Sequence, residues 1–291
     1  MSCSLAPLRW SCQRLTPRKA LLPDSASVPP PSSQEAAIVA ELRAAGCVFA
    51  EDEARLLLSE ALTPAELTAM VGQRVSGLPL EQVLGWAEFY GLRIAILPGV
   101  FVPRRRTEFL VGEAAALSRP GIVVLDLCCG SGALGAALAT AGRDIELHAA
   151  DIEHSAVECA RRNLEPLGGR VYEGDLFEPL PSDLRGRVDI LLANVPYVPT
   201  GEIRLLPPEA RDHEPLVTLD GGADGLDMLR RVAAEASEWL APGGYLLVET
   251  SEHQAPSAVR LFADGGLSAC MVGSEELAAT VIIGTRLAIG K

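Results

Sequence analysis

The chain of 291 residues is short of positive charge, of metal-ligand spacing and of long apolar runs. It has 25 Lys and Arg against 38 Asp and Glu, a net charge of −13. Such an acidic balance disfavours phosphate backbones, so no stable nucleic-acid partner is expected. No apolar run reaches the ~18–20 residues of a membrane span, so no membrane partner is expected either. Seven cysteines hold no C-x-x-C pair, and Cys128 and Cys129 are adjacent, so no metal site is expected. Unpaired thiols of this kind fit a reduced, cytoplasmic protein. What is present is ordinary for a globular chain: 48% hydrophobic and 22% charged residues, long enough for one large domain or two small ones.

Residues 1–33 are rich in Ser and Pro and read as a disordered tail. Arg9, Arg14, Arg18 and Lys19, without an acid in the first twenty residues, also fit a transit peptide or an over-long start. Residues 34–85 read as a helical module. Ile38, Leu42 and Ala45 repeat at helical spacing, as do Ala54, Leu57, Leu58 and Ala61. Thr63-Pro64-Ala65-Glu66 reads as a helix start, with Thr as the cap. Residues 86–100 alternate and break at Tyr90-Gly91, which predicts a linking hairpin. From 101 to 291 short apolar strands alternate with helices. Strands are predicted over 122–126, 145–151, 170–174, 188–193, 244–249, 267–272 and 280–287. Helices are predicted over 134–141, 155–164, 226–240 and 256–262. Continuous apolar strands between helices predict an α/β fold, a Rossmann-like parallel sheet covered on both faces.

Asp126-Leu-Cys-Cys-Gly-Ser-Gly132 joins the first of these strands to its helix. Gly130 and Gly132 allow close backbone approach to a ligand, with Cys128, Cys129 and Ser131 between and before them. Asp151 ends the next strand, where an acid meets ribose hydroxyls. Dinucleotide-binding folds share this pattern. Two acids shift the expectation to S-adenosyl-L-methionine: Asp126 would repel a pyrophosphate but suits an ammonium and a sulfonium. Asp175 ends the third strand where an adenine amino group would lie, and Leu176 and Phe177 could pack on the ring.

Asn194-Val195-Pro196-Tyr197 follows the fourth strand. The Asn194 side-chain oxygen and the Val195 carbonyl form an acceptor pair that fits the two hydrogens of a planar –NH2 group. Pro196 stiffens the turn and Tyr197 covers the flat face of the group. Amide and aryl amine nitrogens have delocalised lone pairs, so acceptors on their N–H bonds make them better nucleophiles. His213 is expected to be structural, since amide methylation needs no strong base before transfer.

At these residues the chain resembles the HemK/PrmC-type protein-(glutamine-N5) methyltransferases. The likeness runs from about Pro79 to Gln254. It takes in Leu78–Gly85, Glu88–Gly91, Val102–Glu108, Val124–Gly132, Gly174–Phe177, Asp212–Pro215 and Asp220–Leu226. The resemblance implies a class I methyltransferase sheet, S-adenosyl-L-methionine as donor, and the Gly-Gly-Gln glutamine of a peptide-chain release factor as substrate. It also implies that the helical module helps recognise that factor. The chain departs from the family in Val195 for the first Pro of Asn-Pro-Pro-Tyr, Arg105-Arg106 for Pro-Glu, Cys128 for a loop glycine and Ser251 for a glycine. At Cys128 a positive φ would be strained. The same acceptor pair also suits adenine N6 on nucleic acid, or the amine of a small molecule. A binding module without turnover is the non-enzyme alternative. With both modules in one chain, a monomer is expected.

Overall fold

The computed structural model describes residues 32–141 and 144–288. The expected tail therefore lies outside the described residues, except for Ser32 and Ser33. Ser32 accepts the Glu35 N–H (3.1 Å) and caps α1 (Ser33–Ala44). α2 (Ala50–Glu60) and α3 (Pro64–Val75) follow. Thr63 Oγ1 accepts the Glu66 N–H (3.1 Å), and the Glu66 carboxylate reaches back to the Leu62 N–H (2.8 Å). This reciprocal pair satisfies two donors at the helix start. Ile38, Leu42, Ala54, Leu57, Leu67 and Met70 form a core of their own for the three helices. A short α4 (Leu80–Leu84) leads into β1 (Trp86–Phe89) and β2 (Leu92–Ala95), which pair antiparallel. Their two-residue turn has φ of 53° at Tyr90 and 74° at Gly91, the left-handed pair that tight hairpins require.

The rest of the described chain is built on one sheet. Its elements are α5 (Glu108–Leu117), β3 (Ile122–Leu127), α6 (Ala133–Thr140), β4 (Ile145–Asp151), α7 (His154–Leu164), β5 (Arg170–Glu173), β6 (Val188–Ala193), α8 (Pro208–His213), α9 (Asp227–Trp239), β7 (Leu240–Thr250), α10 (Ala255–Asp264), β8 (Leu267–Ser274) and β9 (Ala279–Arg286). The strand order is β5-β4-β3-β6-β7-β9-β8. Alternate residues of the central strands serve opposite faces. Leu125, Leu191 and Leu246 enter one apolar cluster, and Val124, Leu192 and Leu247 the other. That is why the middles of these strands read as apolar on both faces.

One strand near the edge departs from the parallel pattern. β9 runs antiparallel to both β7 and β8. Only residues 275–278 join β8 to β9, and a parallel connection needs a dozen or more residues. On the other side the sheet is doubly wound: β3 lies between β4 and β6, and the order reverses there. A crevice opens at the C-terminal ends of strands at such a switch point.

Candidate active site

A cavity of about 350 Å³ occupies that crevice, large enough for a small organic ligand. One side is the loop after β3. Cys128 has φ 55° and Gly130 φ 54°, so Cys128 does carry the strained left-handed backbone. Asp151, at the end of β4, holds this loop. Its Oδ2 accepts the Gly130 N–H (2.8 Å) and its Oδ1 the Glu153 N–H (3.0 Å). Burial raises its pKa, and these backbone donors oppose the shift. Cys128, Cys129, Gly130, Ser131, Asp151 and Asp175 all face the cavity. Leu176 faces it too, from a left-handed backbone (φ 49°). Burial pushes both thiols up, so neither is an available nucleophile.

Three expected donor contacts take other roles. Asp126 does not line the cavity. It is 1% exposed, its Oδ2 accepts the Gly135 N–H at the start of α6 (2.9 Å), and its Oδ1 has no partner among the described residues. Burial raises its pKa to about 7, the Gly135 N–H opposes this, and the Asp151 charge adds to it. Asp126 thus steadies the loop from behind. Gly132 is also set back: a Cβ there would lie 2.9 Å from the Leu164 side chain, so this glycine lets α6 pack on α7. Phe177 turns away and stacks on Trp239, 5.4 Å between ring centres. Asp175 faces the cavity already paired through Oδ2 with Arg231 Nη2 (2.8 Å), leaving Oδ1 for a ligand.

The opposite side is Asn194–Tyr197. Asn194, Val195, Pro196 and Tyr197 all line the same cavity as Asp151 and Gly130. Neither the Asn194 side chain nor the Val195 carbonyl has a hydrogen-bond partner among the described residues. Tyr197 is held at both ends. Its carbonyl accepts Gln254 Nε2 (2.9 Å), and its hydroxyl donates to Glu249 Oε1 (2.9 Å) and accepts Arg106 Nη2 (2.5 Å). The phenol is pushed up by burial and by Glu249, so it stays neutral. A cap over residues 200–219 closes the crevice with Leu206, Pro207, Ala210 and Val217. Arg104 anchors it through the buried Glu214 carboxylate (2.6 Å), and Arg74 of α3 through Glu209 (2.7 Å). His213 ends α8 within this cap, and its ring does not line the cavity. Sequence reasoning did not single out Arg231, Gln254 or Glu249. Each meets its partner across more than 50 residues of chain.

The carboxylates at two strand ends, the loop N–H groups and the apolar wall of Leu134, Leu176 and Met228 fit a cationic nucleoside such as S-adenosyl-L-methionine. Fold and site together define a class I methyltransferase with that donor. Residues 91–205 match the methyltransferase small domain family. Among solved structures, a methyltransferase from Pyrococcus furiosus superposes with a TM-score of 0.52 at 19% identity, covering 68% of this chain and 90% of that one. A T. thermophilus 16S rRNA methyltransferase in complex with AdoMet and guanosine gives 0.50 at 20% identity, covering 69% and 49%. The chain belongs to the release factor glutamine methyltransferase family. It is 37% identical over 231 residues to the member from Geobacter sulfurreducens, covering 78% of this chain and 80% of that protein. The Streptomyces coelicolor member is 38% identical over 199 residues, covering 67% and 70%. A Streptomyces pristinaespiralis relative, a 4-amino-L-phenylalanine/4-methylamino-L-phenylalanine methyltransferase, is 36% identical over 206 residues, covering 68% and 70%.

Proposed function

We propose that this protein methylates the N5 nitrogen of a glutamine side chain in a peptide-chain release factor. One observation carries this: two acceptors without hydrogen-bond partners among the described residues, Asn194 Oδ1 and the Val195 carbonyl, share a cavity with the donor loop. Each takes one hydrogen of the amide –NH2, which raises electron density on nitrogen and fixes its lone pair toward the donor side. Val195 in place of proline keeps the carbonyl, so the pair survives the departure from the family. Pro196 is buried and holds the turn. Tyr197 covers the amide plane. S-adenosyl-L-methionine, when bound, supplies a methyl group made electrophilic by its sulfonium. Gly130, Ser131, Asp151, Asp175 and Leu176 would hold it. Asn194 lines this cavity and would touch donor and substrate alike.

The helical module of residues 34–85, with the hairpin of 86–100, is the part that would engage the body of the release factor. The catalytic domain is residues 101–291. A monomer in the cytoplasm goes with this function. Among the described residues no helix is long and apolar enough to cross a membrane.

A second substrate class is favoured by one finding, the relative that acts on 4-amino-L-phenylalanine. An aryl amine is planar and carries the same two hydrogens. The experiment incubates the protein and labelled donor with release factor, its Gly-Gly-Gln variant with alanine for glutamine, 4-amino-L-phenylalanine, and DNA or RNA. Label on the wild-type factor alone is expected. Label on the free amino acid or on nucleic acid alone would overturn the proposal.

A further inference from the structure

We propose that Arg106 and Glu249 are positioning residues for the methyl-transfer site, a paired unit that holds the Tyr197 ring in place as the wall of the amide pocket. The inference rests on Tyr197 facing the substrate, as put forward above, and assigns a role to two residues outside the acceptor pair and the donor loop.

Three separate elements converge here. Arg106 lies in the turn before α5, Tyr197 follows β6, and Glu249 lies near the end of β7. Glu249 Oε1 accepts from Arg106 Nε (2.8 Å) and from the Tyr197 hydroxyl (2.9 Å). That hydroxyl accepts from Arg106 Nη2 (2.5 Å). The three groups close a ring of hydrogen bonds, and the planar fork of one guanidinium serves both partners. A lysine has one nitrogen and cannot reproduce the fork. The Glu249 side chain is 2% exposed, whereas that of Arg106 is 46% exposed and lines the cavity with Tyr197. The carboxylate is therefore the buried anchor, and the arginine supplies its counter-charge from the cavity side. Position 106 is also where the chain departs from the family's Pro-Glu. An acid there would repel Glu249, while arginine neutralises it.

The Tyr197 main chain is fastened separately by Gln254. Loss of the pair would free the ring without releasing the backbone. A lone Arg106→Met change would bury an unpaired carboxylate and weaken the fold for that reason alone. The informative variant is Arg106→Met with Glu249→Met, because an apolar pair of similar volume usually preserves stability where an ion pair was buried.

The experiment uses the full chain. It measures melting temperature, donor affinity by calorimetry, kcat and KM on release factor, and the ring resonances of 13C-labelled tyrosine. The double variant is expected to melt near wild type and bind donor equally, with kcat lowered about 10- to 100-fold and KM changed less, as for a misplacement of about 1 Å. Its Tyr197 ring resonance should show faster averaging. Arg106→Lys should recover part of kcat, since its amine meets Glu249 or Tyr197 but not both. Tyr197→Phe keeps the ion pair and should still lose kcat. If the double variant proves unstable, Tyr197→Phe decides. Wild-type kcat in either variant, or an unchanged Tyr197 resonance in a folded double variant, would overturn the proposal. Should wild type leave release factor unlabelled, the substrate proposal falls while the tyrosine resonances still judge the pin.

Discussion

Gly225→Ala tests how tightly the acceptor tetrapeptide is set. Gly225 has φ 75°, and a Cβ there would lie 2.3 Å from the Tyr197 carbonyl oxygen and 2.3 Å from Gln254 Nε2. Ordinary non-bonded carbon contacts are about 3.5 Å, so something must give by roughly 1 Å. The nearest groups are the backbone of the tetrapeptide and the side chain that fastens it, joined by a 2.9 Å hydrogen bond. Overpacking of this sort costs about 1–3 kcal/mol, and a left-handed alanine adds about 1–2 kcal/mol. At roughly 2 °C per kcal/mol for a chain of this size, Tm should fall by about 4–10 °C. Gly168→Ala is the control: φ is 80°, but nothing among the described residues lies within 4 Å of the added Cβ. It should show the backbone cost alone, about 2–4 °C. Gly225 does not line the cavity, so donor affinity should hold while kcat drops about 100-fold. Thermal melts, donor calorimetry and turnover on release factor read the three quantities. If Gly225→Ala matched Gly168→Ala in Tm and kept wild-type kcat, the packing of this glycine on the tetrapeptide would not matter for catalysis.

Asp151→Ala should weaken donor binding about 10- to 100-fold by calorimetry, with most of kcat recovered at saturating donor, because it removes both a ligand carboxylate and the Gly130 N–H anchor. Cys128→Gly should melt about 2–4 °C above Cys128→Ala: both lose the thiol, but only glycine relieves φ 55°. Asp126 gives a pH test. Its pKa is raised from the usual carboxylate value to about 7, so the folded state binds more protons than the unfolded one across that interval. Its contribution to stability is present below about pH 4 and is lost as pH rises to about 7, with a slope of at most about 1.4 kcal/mol per pH unit. Asp126→Asn should flatten the decline of Tm between about pH 4 and 7. An equally steep decline in the variant would show that another group is responsible.

Much of the fold was legible where apolar runs were sharply bounded. β4 and β6 occupy the predicted residues; Asp144 and Arg187 precede them, and Asp151 and Asn194 mark their ends. Strand direction is not encoded in such a run; the reversal of β9 follows from the short 275–278 link. Residue type and strand-end position located the cavity wall at Asp151, Asp175 and Asn194. They did not say which way a side chain turns. Asp126 ends up behind the loop because the Gly135 N–H claims its oxygen, and Phe177 because Trp239 offers a ring to stack on. The Tyr197 pin joins Arg106 to Glu249 across 143 residues, and no local pattern carries a pairing that distant. The capping motif at Thr63 is the opposite case, complete within five residues and formed as read.

The most direct measurement is methyl transfer to release factor by wild type and Asn194→Ala, with donor affinity determined on both. Asn194→Ala removes one of the two acceptors for the amide and should lower kcat about 100- to 1,000-fold while the donor still binds. Wild-type turnover by Asn194→Ala on that substrate would contradict the account.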